Sequence, residues 1–144
     1  MTESLRIEEI LEKDGMYVSC VSGYSMSPML KDKRDTVVIL PVKDRIRKGD
    51  VVLYYHGGRY ILHRVVKVKG ESYVMCGDNR VELERDILSS EIIGVLSRVY
   101  RGEKELKLSG IGYKTYCAWI RASFYPRRAW RRAKAFCHRA TRKK

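Results

Sequence analysis

Three residues of complementary chemistry sit at points where this chain bends or half-buries them: Ser25, His63 and Asp78. Ser25 lies in residues 20–30 (CVSGYSMSPML), where a β-prone run from Met16 to Val21 stops at Ser22-Gly23 and small residues hold a hydroxyl at a bend. A serine hydroxyl is a weak nucleophile near neutral pH and needs a base. Along Arg59 to Val68, period-two alternation puts Ile61, His63 and Val65 on one face and Tyr60, Leu62, Arg64 and Val66 on the other. The branched neighbours partly desolvate the imidazole and favour its neutral form, the form a general base needs near pH 7. Gly77-Asp78-Asn79 is turn chemistry after a strand, and its carboxylate can orient the imidazole and stabilise its protonated state, completing an acyl-transfer triad. The plain alternative is a half-buried histidine satisfied by hydrogen bonds beside an ordinary turn. His56, at a hairpin turn, and His138, in a basic tail, are weaker bases for the role. Such chemistry needs neither metal nor cofactor, and none is expected.

The elements that must position these groups are mostly strands. Ser4 can cap a short opening helix whose Ile7, Ile10 and Leu11 form one stripe, with Gly15 as its stop. Strand-like pieces follow at Met16–Val21, Thr36–Leu40, Asp50–His56, Arg59–Val68, Ser72–Cys76 and Glu91–Arg101. Gly57-Gly58 reads as a two-residue hairpin and Lys69-Gly70 as a second turn. The expected fold is mainly β, a folded and partly closed sheet carrying a short N-terminal helix and a basic helical tail. Three segments are expected: a helix over 1–15, a catalytic β domain over 16–105 and the tail over 106–144.

Charge separates the tail from the body. The 144 residues carry 30 Lys+Arg and 17 Asp+Glu, and from Leu106 onward there is no acidic residue, so nearly the whole excess of +13 belongs to the tail. No run reaches the roughly 20 apolar residues that span a bilayer, and the first residues lack the pattern of a secretory signal. The reading is a cytoplasmic or peripherally membrane-associated protein. Cys20, Cys76, Cys117 and Cys137 form neither a CxxC pair nor a zinc spacing and are expected as reduced thiols.

Ser22-Gly23-Tyr24-Ser25-Met26-Ser27-Pro28 resembles the nucleophile box of type I signal peptidases. Arg47-Lys48-Gly49-Asp50-Val51-Val52, Tyr60-Ile61-Leu62-His63-Arg64-Val65-Val66 and Gly77-Asp78-Asn79-Arg80 resemble the boxes that follow, in order, over roughly residues 16–100. The self-cleaving repressor peptidases of the same superfamily share the Ser-Met box but use lysine as base. With His63 in that slot, the chain is similar to the Ser-His branch typified by the endoplasmic reticulum and archaea. The resemblance implies Ser25 as nucleophile, His63 as general base and Asp78 as third group, with Glu84 and Asp86 as alternatives for that last role. It implies an oxyanion held by the Ser25 N–H; Gly23 stands where some relatives carry a serine hydroxyl. It also implies an extended peptide substrate with small residues at the first and third positions before the cut, in a groove that Met26 and Met29 would line unless they pack the core.

The family normally carries a transmembrane anchor, and no stretch of these 144 residues is expected to serve as one. In its place the tail combines Trp119, Phe124, Tyr125, Trp130 and Phe136 with Arg127, Arg128, Arg131, Arg132 and Lys134, and Pro126 is expected to open a second helix there. Basic helices with interfacial aromatics suit an anionic membrane surface. A nucleic-acid contact is the less favoured partner, and simple docking of Tyr116, Trp119 and Ile120 on the body is a third reading. For the whole chain the expectation is a serine endopeptidase acting on a leader-like peptide. The alternatives are a non-catalytic binding descendant and a self-processing regulator; the last is disfavoured because nothing upstream of Ser25 reads as a DNA-binding domain.

Overall fold

Residues 6–141 are described by the structure, a computed structural model. After helix α1 (Ile7–Asp14) come β1 (Tyr17–Cys20), β2 (Asp35–Pro41), β3 (Val51–His56), β4 (Arg59–Lys69), β5 (Ser72–Cys76), β6 (Glu84–Leu88), β7 (Ile92–Arg101) and β8 (Lys104–Leu106), then helix α2 (Gly110–Thr141). The strands pair antiparallel in the order β1-β2-β7-β3-β4-β5-β6, with β8 beside β7, and the sheet curls into a half-barrel. Two compact units result, Met1–Leu108 and Ser109–Lys144, with α1 inside the first.

Strand β3 runs through the middle of the order, which explains its unbroken apolar run: Val51 to Tyr54 are all buried. Its period-two alternation feeds two cores. Val51 and Leu53 join Leu11, Met26, Leu30, Ile39 and Val99, and Ile7 of α1 packs against that cluster. Val52 and Tyr54 join Ile46, Val65, Tyr73, Met75 and Ile87. Each fully buried aliphatic side chain contributes about 1.5–3 kcal/mol, so the two clusters supply most of the driving force for closure. At the start of α1 the Arg6 N–H donates to the Glu9 carboxylate at 3.1 Å. The Ser4 cap lies outside the described residues.

Register carries the catalytic residues to their places. The Gly57-Gly58 turn pairs His56 with Arg59, and so sets Tyr54 opposite Ile61 and Val52 opposite His63. The next turn pairs Lys69 with Ser72, leaving Gly70-Glu71 as its two linking residues, one position later than the sequence suggested. Strands β6 and β8 were not expected. Glu84-Arg85-Asp86 has low β propensity, and β6 ends the strand order with an irregular register against β5 and a positive φ of 58° at Asp86.

The connection from β1 to β2 carries Ser25, and its two ends are laced together. The Val21 N–H donates to the Asp35 carbonyl and the Lys33 N–H to the Val21 carbonyl, both at 2.8 Å. Beneath them the fully buried Asp35 carboxylate accepts Arg101 Nε at 2.8 Å, Arg101 Nη2 at 2.7 Å and the Lys31 N–H at 2.9 Å. The same Nη2 reaches the Met29 carbonyl at 3.4 Å.

In the second unit, α2 continues through Pro126 instead of restarting there. A proline inside a helix removes one donor and costs about 3 kcal/mol or more. In this turn the Arg127 guanidinium donates to the carbonyls of Ser123 at 3.3 Å and Ile120 at 3.4 Å, an added tie across the proline-bearing turn.

Arg101 holds the Asp35 carboxyl below its usual 3.8, so this ion pair stabilises the fold above the unfolded-state value and loses that contribution as pH falls through the lowered one. Asp35→Asn should cost about 2 kcal/mol, toward the low end because Arg101 keeps some solvent access. It should also flatten the acid dependence of stability below about pH 4. Urea unfolding of both proteins across that range checks the expectation; parallel pH curves would count against it.

Candidate active site

Ser25 sits half-buried in a bend whose entry is fixed by Gly23. That residue has φ of 96°, a left-handed conformation that favours glycine, and its N–H donates to Asp32 Oδ1 at 2.7 Å. On the other side the bend is tied to the β5–β6 connection. The Asn79 N–H donates to the Ser25 carbonyl at 2.8 Å and Asn79 Nδ2 to the Tyr24 carbonyl at 3.2 Å. Among the described residues the Ser25 N–H has no acceptor, which leaves it to donate to an oxyanion.

His63 reaches the same spot from β4. A methyl group placed on Gly77 would lie 2.5 Å from the Ser25 carbonyl oxygen and 3.1 Å from His63 Nε2. Both atoms therefore lie within a few ångström of one point, and the absent side chain at 77 lets them converge there. Residues far apart in sequence meet because β4 carries the histidine to the bend that the serine loop grips.

The ring's other nitrogen is held from the far side. His63 Nδ1 lies 3.2 Å from the Tyr54 hydroxyl and 3.7 Å from Glu84 Oε1, while that hydroxyl donates to Glu84 Oε2. Burial and the neighbouring Glu84 push the Tyr54 phenol up, so it stays protonated. With the phenol proton committed to the carboxylate, Nδ1 must be the donor to the phenol oxygen. The neutral ring then carries its proton on Nδ1 and presents a bare Nε2 toward the Ser25 bend.

His63 is 7% exposed, and desolvation lowers its pKa from 6.5. The negative charge of Glu84 pulls the other way, Arg80 adds to the lowering, and Asp78 opposes it. The result is a ring neutral at pH 7, with a carboxylate close enough to stabilise the cation once it takes a proton.

Asp78, the first expectation for the third group, is engaged elsewhere. Its carboxylate forks onto Arg64, with Nε to Oδ1 at 2.7 Å and Nη2 to Oδ2 at 2.8 Å. Arg64 also donates to the Gly49 carbonyl at 2.8 Å and to Met29 Sδ at 3.2 Å. The reason is strand alternation: Arg64 follows His63 on β4, so its side chain leaves by the opposite face and takes Asp78 with it. This buried pair joins the Gly49 turn, the serine loop and the Gly77 bend. Of the two alternatives, Glu84 stands beside the imidazole and Asp86 is exposed. Met26 is 3% exposed and packs in the core instead of lining a groove; Met29 is half-buried against the same cluster.

Tyr54 was missed by the sequence reading, although its signal was available. A two-residue turn at 57–58 sets residues 54 and 61 opposite each other, which places Tyr54 diagonal to His63 on the same face. Gly77 was read only as a turn.

The arrangement offers a hydroxyl-bearing bend, a neutral imidazole presenting Nε2 to it, and a phenol–carboxylate pair behind the ring. It can take a proton from a hydroxyl and hold the resulting charge. The profile of the family described as Peptidase S24-like matches residues 2–99. No curated protein matches the chain.

Gly77→Ala should separate the serine bend from the ring, because the contact at 2.5 Å is with backbone. The expected loss is about 100-fold in the rate at which a serine-directed phosphonate labels Ser25, as for a misplacement of about 1 Å. The fold should survive, at a cost of about 1–3 kcal/mol. Labelling followed by intact mass, with circular dichroism alongside, checks this; an unchanged rate would contradict the convergence.

Proposed function

The chain belongs to the S24-like peptidases, and from that premise we propose that it is a serine endopeptidase of the Ser-His type, cutting an extended leader-like peptide after small residues. The observation that carries this reading is the meeting of the Ser25 backbone and His63 Nε2 at Gly77, with Nδ1 turned to Tyr54 and Glu84.

In this mechanism Ser25 Oγ attacks the scissile carbonyl while His63 Nε2 accepts its proton. The Ser25 N–H donates to the oxyanion, and the imidazolium returns its proton to the leaving amine. Water then attacks the acyl-enzyme as His63 Nε2 takes its proton, and the imidazolium gives that proton to the departing Ser25 Oγ, freeing the acid product and restoring the enzyme. Glu84, acting directly and through Tyr54, is the orienting and charge-stabilising group, while Asp78 with Arg64 positions the loops around it. Met29 is the better placed of the two methionines to meet substrate.

The surroundings favour a polymeric substrate. A cavity of about 400 Å³ is lined by residues such as Glu8, Glu12, Tyr55 and Glu91, away from Ser25 and His63. Strand β1 stands at one end of the strand order and leads into the serine loop; Val18 within it and Met16 just before it are about half exposed. Such an edge can take an extended peptide as an added strand, as the resemblance to type I signal peptidases implies.

Incubation with a peptide library should give cleavage after small residues, and Ser25→Ala and His63→Ala should each remove it, with losses on the order of 10⁴-fold. Equal products from wild type and variants would end the peptidase reading.

A second expectation concerns pH. The acid limb of kcat/KM should fall below 6.5, because burial lowers the His63 pKa. Glu84→Gln removes a charge that raises this pKa, so the limb should move to still lower pH while kcat drops about 100-fold. A limb shifted by Asp78→Asn and untouched by Glu84→Gln would return the third role to Asp78.

A further inference from the structure

Helix α2 presents a face that neither the fold nor the peptidase reading uses. At 100° per residue, Ile111, Trp119, Tyr125, Trp130 and Phe136 fall within one arc of about 140°. Ala118, Ala122, Ala129 and Ala133 fill the space between them, and no charged residue enters the arc. All of these side chains are exposed: Ile111 86%, Trp119 54%, Tyr125 76%, Trp130 65% and Phe136 75%. An apolar strip of this length along a 32-residue helix is far outside the scattered exposure of an ordinary surface.

The cations are arranged about the strip and not at random. Lys114, Arg121, Arg128, Arg132 and Arg139 follow one border. Arg127, Arg131 and Lys134 lie along the other side, and Lys134 sits over the Trp130 ring at 5.1 Å. The helix contains no acidic residue. We propose that this face lies in the plane of an anionic lipid membrane, its aromatics at the headgroup boundary and its two basic borders against lipid phosphates and carboxylates.

Three features select this occupant. Apart from Ile111 near its start, the large side chains of the face are tryptophan, tyrosine and phenylalanine with alanines between them and no leucine, so it lacks the repeating aliphatic seam of a helix pair. A second copy would bring two all-basic helices together, which like-charge repulsion opposes. A nucleic acid would neutralise the basic borders but leave the aromatic strip in water, whereas a bilayer interface covers both. No helix among the described residues is long and apolar enough to cross a membrane, so the geometry is that of a helix lying on the surface.

The full-length protein is tested by flotation with vesicles of phosphatidylcholine alone and of phosphatidylcholine with phosphatidylglycerol. It should float with the anionic vesicles, blue-shift its tryptophan fluorescence, and be released as salt rises. The variant carrying Trp119→Ala, Trp130→Ala and Phe136→Ala keeps every charge, alters only exposed positions, and should bind at least 10-fold more weakly. A variant carrying Arg128→Gln, Arg132→Gln and Lys134→Gln should lose the preference for anionic vesicles while keeping its helical circular dichroism. Undiminished binding by the aromatic variant would overturn the proposal. So would absence of vesicle binding together with retention of a 20-base-pair duplex, or a dimer in sedimentation velocity that the aromatic substitutions dissolve. Ser25→Ala should float like wild type, so failure of the lipid proposal and failure of the peptidase reading can be told apart.

Discussion

One imidazole is held at Nδ1 from one side and turns Nε2 toward the serine bend on the other, and the rest of the body serves that arrangement. Nδ1 meets a phenol whose own proton is committed to Glu84, and Nε2 meets the bend of Ser25 across a glycine that leaves the space open. Neither contact alone suffices. Without the pair behind it the ring is free to put its proton on either nitrogen, and without the gap at Gly77 the serine loop cannot approach. Burial makes the ring neutral, and the nearby carboxylate keeps its cation accessible; catalysis by a general base needs both.

Holding the serine loop in reach uses two other ion pairs, one at each end of it. Asp35 with Arg101 closes the base of the loop against β7, and Arg64 with Asp78 binds its far side to the Gly49 turn and the Gly77 bend. Buried pairs of this kind give little net stability over apolar packing, but breaking one leaves a charge stranded. Their value here is geometric: each joins segments distant in sequence. The same architecture explains why Asp78 is prominent in the sequence, since its carboxylate is forked onto the residue that follows His63.

Much of this was legible in the residues. Period-two alternation gave the face of His63, small residues gave the bend at Ser25, and the paired glycines at 57–58 gave the register of β3 and β4. Glu84 was harder to place because Glu84-Arg85-Asp86 lacks both apolar alternation and β propensity; β6 exists through its pairing with β5, a long-range interaction no local pattern reports. Gly77 reads as an ordinary turn residue, because a close approach by two other segments leaves no trace at position 77 itself. Pro126 misled in the opposite direction. Its local preference for a helix start was overridden in α2, which continues through it with Arg127 tying the adjacent turns together.

The account turns on which nitrogen of His63 carries the proton. Nitrogen-detected NMR of the protein labelled with ¹⁵N at its histidine rings reads this directly at pH 7, with His63→Gln identifying the signals. The structure predicts a protonated, pyrrole-like shift at Nδ1 and a bare, pyridine-like shift at Nε2, with the two states mixing in Tyr54→Phe. A proton on Nε2, or a ring fully charged at that pH, would contradict it.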